Sequence, residues 1–334
     1  MIMRKPRLED VAQRAGVSMK TVSNVINDYP HVSAKTRDRV LTAIDALGYR
    51  PNLSARNLAR GRAGMFALIV PQLDRPYFAA LARHVIDAAH AVGAVVLIEQ
   101  TDGDLDAERR VISGELSRRV DGMIFSPLTI GADEIAARTD STPLVLLGEQ
   151  ATVVGVPHVG IDNRAAAGMA TRHLIELGRT RLGMVGVGRP RQSNPRYLGF
   201  RQAVDEAGLR TDPRWLRAVS GVRGIDGEEA ALKIIAAGEP WPDALFCATD
   251  WLALGVIRAL LQNGIRVPED VAVIGFDDIP YGEVATPSLT TIATNRDQVA
   301  RQAIRLLDSP TADSDHDREP IDFSLIVRES TAGR

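Results

Sequence analysis

From Met65 onward the chain alternates strand-like and helix-like runs, and this alternation limits the fold more than any other feature. MFALIVPQL reads as a strand and YFAALARHVIDAAHAVG as a helix. AVVLIEQT followed by DAERRVISGELSRRV repeats the order, and DGMIFSP and PLVLLGE continue it. A second series begins near Asp162 with AAAGMATRHLIELG, RLGMVGV, YLGFRQAVDEAG and LRAVS. It goes on through GEEAALKIIAAG, ALFCATD, LALGVIRALLQNG and VAVIGFDD. Strands that alternate with helices build parallel sheets wound by right-handed crossovers. Two series predict two lobes, each with its own sheet. Ligands of such open sheets sit at the carboxyl ends of the strands. That rule singles out residues 72–78, Ser126, Pro127, Gly148, Glu149, Asp162, Arg196, Asp250 and Asp277.

The segment ahead of this series has a different period. Leu8, Val11, Ala12 and Ala15 fall on one face of a short helix, and Gly16 is placed to stop it. Ser18 can cap a second helix with Val22, Val25 and Ile26 inward and Met19, Lys20, Ser23 and Asn24 outward. The run NDYP ends it. Ser33 caps a third helix with Val40, Ile44 and Leu47 in its core and Gly48 at its stop. Two short helices joined by a tight turn place the second in the major groove of DNA, N-terminal residues first. Lys20 suits guanine acceptors, Asn24 suits adenine and Met19 a thymine methyl. Thr21, Ser23, Ser33, Lys35, Thr36 and Arg37 suit phosphates, which fix register rather than sequence. Charge agrees with this division. Residues 1–62 carry 12 Lys+Arg against 5 Asp+Glu, whereas the remainder carries 28 against 37. A basic head on an acidic body is the pattern of a nucleic-acid-binding unit joined to one that avoids DNA. The next run, NLSARNLARGR, has helix formers for about two turns, and isolated helices that short are marginal in water. It is predicted to order only on binding.

The stretches DVAQRAGVSMKTVSNVIN and VSAKTRDRVLTAIDALGYRPN resemble the LacI/GalR family of bacterial transcription regulators, and RYLGF, ATDWLALG, VIGFDD, PSLTTI and LIVRES stand in that family's order and spacing. The resemblance implies an all-α helix-turn-helix head over residues 1–52 and a hinge over 53–63. It further implies a two-lobed α/β core of parallel sheets wound by helices, similar to periplasmic binding proteins. One lobe takes residues 64–161 and 296–321, the other 162–291 and 322–334, with crossovers near 161–162, 291–296 and 321–323. The implied function is a homodimeric repressor, not an enzyme. It binds double-stranded, palindromic operator DNA under control of a small-molecule, carbohydrate-like effector held between the lobes.

Residue roles follow from the same resemblance. Met19 and Lys20 set operator preference, and Asn24 departs from the Arg of many members. Leu58 matches a wedge that opens a base step from the minor groove, the alternative being packing on the core; Arg56 and Arg60 face phosphates or the groove. Asp277 accepts hydrogen bonds from effector hydroxyls and Arg196 donates to them. The alternatives are a helix-capping aspartate and a surface ion pair. Charged partners make the stronger hydrogen bonds to a polyol. Phe78 and Tyr77 are candidate apolar walls, and Trp251 either stacks on a sugar face or packs in the core. Thr249 stands where Asn is common, and Gly148 where some sugar-responsive members have Asp.

Other classes find little support. Cys247 is alone, which excludes an intramolecular disulfide and a cysteine metal cluster. No apolar run has membrane-spanning length, and MIMRKPRLED lacks the apolar core of a signal peptide, so a cytoplasmic protein without a membrane partner is expected. GxSxG, HExxH, P-loop and dinucleotide-binding motifs are missing, the six His are scattered, and no cofactor or metal is expected. SPTADSDHDREP reads as a loop before a last strand, IDFSLIVRE. The ending RESTAGR carries no leucine heptads, which favours a dimer over a tetramer.

Overall fold

The computed structural model describes residues 6–26, 29–49, 63–117, 119–148, 153–188, 194–308 and 320–332. The chain divides into two compact units, residues 1–64 and 65–334. Of the sequence expectations, Glu149, Arg56, Leu58, Arg60 and most of the SPTADSDHDREP loop lie outside the described residues.

The first unit contains helices α1 (Leu8–Ala15), α2 (Met19–Ile26) and α3 (Ala34–Leu47). Gly16 and Gly48 end α1 and α3 with φ of 62° and 59°, a left-handed conformation that glycine adopts without a Cβ penalty. Ser18 Oγ accepts from the Thr21 amide at 3.2 Å and Ser33 Oγ from the Thr36 amide at 3.3 Å, so both predicted caps form. The small core is Val11, Ala12, Ala15, Val22, Val25, Val40 and Ala43; Ile26, Ile44 and Leu47 pack against it but stay half-buried. Two arginines of α3 replace missing helical partners. Arg39 donates to the carbonyls of Ala15 and Gly16 at the end of α1. Arg37 donates to Val25 O at 3.4 Å and Tyr29 O at 3.1 Å. The Arg37 guanidinium thereby satisfies carbonyls at the end of α2.

The second unit holds two sheets. The first has the order β2-β1-β3-β4-β5, formed by Met65–Val70 (β1), Val95–Gln100 (β2), Gly122–Phe125 (β3), Leu144–Leu147 (β4) and His158–Val159 (β5). The second has the order β11-β10-β9-β8-β6-β7. Its strands are Leu182–Val185 (β6), Leu216–Arg217 (β7), Ala244–Cys247 (β8), Ala272–Phe276 (β9), Thr290–Thr294 (β10) and Phe323–Ile326 (β11). All pairings are parallel except β10 with β11. Both sheets are thus parallel as expected, with one antiparallel strand added at the edge of the second. That edge arises because β11 returns to the second sheet after the chain has packed helix Arg296–Asp308 on the first.

This helix was not assigned from sequence, yet Val299, Ala300, Ala303, Ile304 and Leu307 fill a core shared with Phe66, Leu68, Val70 and Val85. Phe66–Val70 is buried throughout, as expected of a strand covered on both faces. Burying each of its larger side chains, Phe66, Leu68, Ile69 and Val70, stabilises the fold by roughly 1.5–3 kcal/mol. The run DAERRVISGELSRRV is helical only as far as Ile112. Gly114, with φ of 89°, turns the chain, and an added Cβ there would meet Asp140 Oδ1 at 2.9 Å. No helix among the described residues is long and apolar enough to cross a membrane.

Candidate functional site

In the head, Met19 and Lys20 occupy the first turn of α2 and are exposed, Met19 to 53%. Thr21, Ser23 and Asn24 are half-buried along the same helix. Lys35 is exposed at the start of α3. Thr21 and Thr36 keep their hydroxyls 2.9 Å from those of Ser18 and Ser33, so the capping hydroxyls act in pairs. Neither α2 nor α3 carries an acidic side chain in its first turn. Both therefore present the positive end of the helix dipole, which suits phosphate.

In the second unit a cleft of about 770 Å³ opens where the carboxyl ends of both sheets meet. Pro71, Ser126, Gly148 and Gly160 follow strands of the first sheet; Gly186, Ser220, Ala248, Asp277 and Thr294 lie at the corresponding ends of the second. Phe78, Arg196, Trp251 and Asp277, four of the residues singled out from sequence, all line it. Tyr77 stands beside Phe78 with their rings edge to face at 5.3 Å.

Arg196 is a fixed side chain, not a surface one. Asn194 caps helix Pro195–Glu206 by accepting from the Tyr197 amide at 3.0 Å, which sets the first turn that carries Arg196. Arg196 Nε donates to Asn163 Oδ1 at 3.1 Å, and Nη1 donates to the carbonyl of Ala248. Its Cζ stands 3.7 Å from the centroid of Phe276, a cation–π contact. Nη2 reaches Asp277 Oδ1 at 3.9 Å.

Asp277 caps no helix. It follows β9 with φ of 114°, and Asp278 follows with φ of 53°. Such conformations cost roughly 1–3 kcal/mol and persist where surroundings over-determine them. Here the Arg296 guanidinium donates to the carbonyls of both aspartates, and Arg328 Nη2 pairs with Asp278 Oδ1 at 2.9 Å. The Asp277 amide donates to Ile292 O at 2.9 Å. Two arginines thus hold a strained turn that aims one carboxylate at the cleft.

The remaining strand-end residues divide. Thr249 caps helix Asp250–Gln262 through its hydroxyl, which accepts from the Leu252 amide at 3.2 Å. Asp162 caps helix Asn163–Glu176 at 2.9 Å from the Ala165 amide. Asp250 is not a cleft residue. It is fully buried and accepts from Thr291 Oγ1 at 2.5 Å and the Ile279 amide at 2.8 Å. Burial pushes its carboxyl up to about 6. A Cβ at Gly275 would lie 2.1 Å from Asp250 Oδ1, so the glycine in VIGFDD makes room for this carboxyl. Trp251 is half-buried, its indole near Gly224 at the start of helix Gly224–Ala236. That helix contacts Asp250–Gln262 so closely that a Cβ on Gly255 would fall 1.8 Å from Gly224 O.

Arg75 falls within residues 72–78 of the strand-end expectation, which assigns it no role of its own. It lines the cleft just before helix Pro76–Ala91. The signal was an arginine ahead of a proline at a strand-to-helix turn, where Pro is favoured inside the helix start.

Comparison with known proteins places the chain. Residues 7–52 match bacterial regulatory proteins, lacI family, and residues 171–331 match the periplasmic binding protein-like domain. The HTH-type transcriptional regulator DegA of Bacillus subtilis (strain 168) is 34% identical over 294 residues, 86% of each chain. The ribose operon repressor of Halalkalibacterium halodurans is 32% identical over 329 residues, 98% of this chain and 97% of that one. A solved transcriptional regulator CelR–cellobiose complex is 30% identical and superposes with a TM-score of 0.67, covering 97% of this chain and 99% of that one. The chain belongs to the lacI family of bacterial transcriptional regulators, which are DNA-binding proteins and not enzymes.

Proposed function

We propose that the protein is a homodimeric repressor that reads a near-palindromic operator and changes its operator affinity when a carbohydrate-like effector enters the core cleft. The observation that carries this reading is the fixed Arg196–Asp277 pair at 3.9 Å in a cleft of about 770 Å³. A guanidinium that donates and a carboxylate that accepts suit vicinal hydroxyls, and the volume lies in the range of small-molecule sites. Phe78 and Trp251 supply ring faces. The likeness to a ribose operon repressor and to a regulator solved with cellobiose supports the same ligand class.

On the DNA side, Met19, Lys20 and Asn24 read base edges, while Thr21, Ser23, Ser33, Lys35 and Thr36 contact phosphates. Arg56 and Leu58 belong to the hinge that engages the operator centre. A two-fold protein prefers two-fold DNA, hence two half-sites. Residues 64–161 with 296–321 and residues 162–291 with 322–334 act as the two lobes whose relative motion links cleft to hinge. The protein works in the cytoplasm, where bacterial operators are.

Selection of bound sequences from random duplex DNA tests this directly. A near-palindrome with half-sites about one helical turn apart is expected. Enrichment of no sequence over background, or of a single unrepeated site, contradicts it.

A further inference from the structure

The charged side chains lining the cleft, among the described residues, are Arg75, Arg196 and Asp277. Asp277 is paired with Arg196. Among the described residues no carboxylate forms an ion pair with Arg75, although Asp74 and Asp277 act on it from farther off. Arg75 Nε donates to Gln72 Oε1 at 2.8 Å, which orients the guanidinium, and no described residue accepts from its two terminal nitrogens. The side chain is half-buried, and its burial lowers the guanidinium below its ordinary value while the carboxylates of Asp74 and Asp277 act in the opposite sense. Arginine does not lose its proton in such a setting, so the desolvated charge persists and is stabilised by whatever anion reaches it.

We infer that the effector carries an acidic group, a phosphate ester or a carboxylate, which seats on the terminal nitrogens of Arg75 while its hydroxyls engage Arg196 and Asp277. This rests on the effector-cleft reading above and narrows its ligand class. The planar fork of arginine matches the two oxygens of either acid. Tyr77 and Phe78, in the first turn after Arg75, place aromatic surface next to the anion. A neutral sugar would give the half-buried terminal nitrogens no charged acceptor beyond the more distant carboxylates of Asp74 and Asp277.

Thermal-shift titrations with matched probes test the assignment on the full chain. Glucose is compared with glucose 6-phosphate and glucuronate, and ribose with ribose 5-phosphate and ribonate, on wild type, Arg75→Gln and Arg75→Lys. An acidic member is expected to bind wild type more tightly than its neutral parent. That preference should fall roughly tenfold to a hundredfold in Arg75→Gln and return in part in Arg75→Lys. A preference for the phosphate or for the carboxylate member tells the two acids apart. Equal shifts from neutral and acidic members in wild type and Arg75→Gln alike would remove the acidic group and leave the effector cleft standing. A preference for acids that survives in Arg75→Gln puts the anion elsewhere on the protein and overturns the assignment, as does silence from every acidic member.

Discussion

Arg196 Nη2 and Asp277 Oδ1 stand 3.9 Å apart, beyond hydrogen-bond distance yet within ion-pair range. A ligand hydroxyl between them can accept from the guanidinium and donate to the carboxylate. The cation–π contact with Phe276 and the bond to Asn163 keep the guanidinium in place before any ligand arrives. Less side-chain freedom is then lost on binding.

The turn at Asp277 separates backbone from side chain. With φ of 114°, glycine fits that position better than any L residue. Asp277→Gly is expected to keep or raise thermal stability while abolishing the effector response. Asp277→Val should lose roughly 1–3 kcal/mol in denaturant unfolding. Clear destabilisation of Asp277→Gly would instead make the carboxylate the element that holds the turn.

Lys20 and Lys35 are both exposed cations of the head, but they should fail differently. Lys20→Ala is expected to relax base preference at one or two operator positions by ~1–3 kcal/mol each. Lys35→Ala should weaken all sequences alike and reduce the slope of log affinity against log salt by about one phosphate's worth. Fluorescence anisotropy on a set of single-base operator variants distinguishes them. Uniform loss in Lys20→Ala would reassign it to the phosphates.

Asp250 makes stability depend on pH. Its carboxyl is raised to about 6 in the folded chain, chiefly by burial, from an ordinary value of 3.8. Below the ordinary value it is neutral in both states and its contribution is fully present. As pH rises through the window up to about 6, only the unfolded chain releases the proton, so stability is lost at up to ~1.4 kcal/mol per pH unit. Asp250→Asn retains an acceptor for the Ile279 amide and offers Thr291 a donor instead of an acceptor. The difference in unfolding free energy between variant and wild type should therefore shift in the variant's favour between pH 4 and 6 and level off above. A pH-independent difference would contradict the burial of an ionisable carboxyl there.

Local chemistry carried most of the fold in the sequence. Gly16, Ser18, Ser33 and Gly48 mark helix ends because their conformations and hydroxyls satisfy backbone groups within three residues. The strand-to-helix alternation survives folding because both faces of the central strands are covered. Features that depend on distant partners were not legible. Arg37 and Arg39 serve the carbonyls of α2 and α1, which only the folded head brings within reach. β5 is two residues long and exists because β4 offers it an edge. Helix Arg296–Asp308 did leave an amphipathic signal, with Val299, Ala300, Ala303 and Ile304 on one face, that went unassigned. In the cleft, strand ends pointed to Phe78, Arg196 and Asp277, while Trp251 and the roles of Arg196 and Asp277 came with the family resemblance. The open guanidinium of Arg75 needed the three-dimensional charge balance.

The most direct measurement is operator affinity by fluorescence anisotropy, with and without a compound that stabilises the protein thermally, for wild type and Arg196→Ala. An effector that couples cleft to head should change wild-type affinity about 5- to 150-fold, the usual coupling of ~1–3 kcal/mol. Arg196→Ala should bind operator normally and lose that change. Operator affinity indifferent to a compound that demonstrably occupies the cleft would contradict effector control of DNA binding.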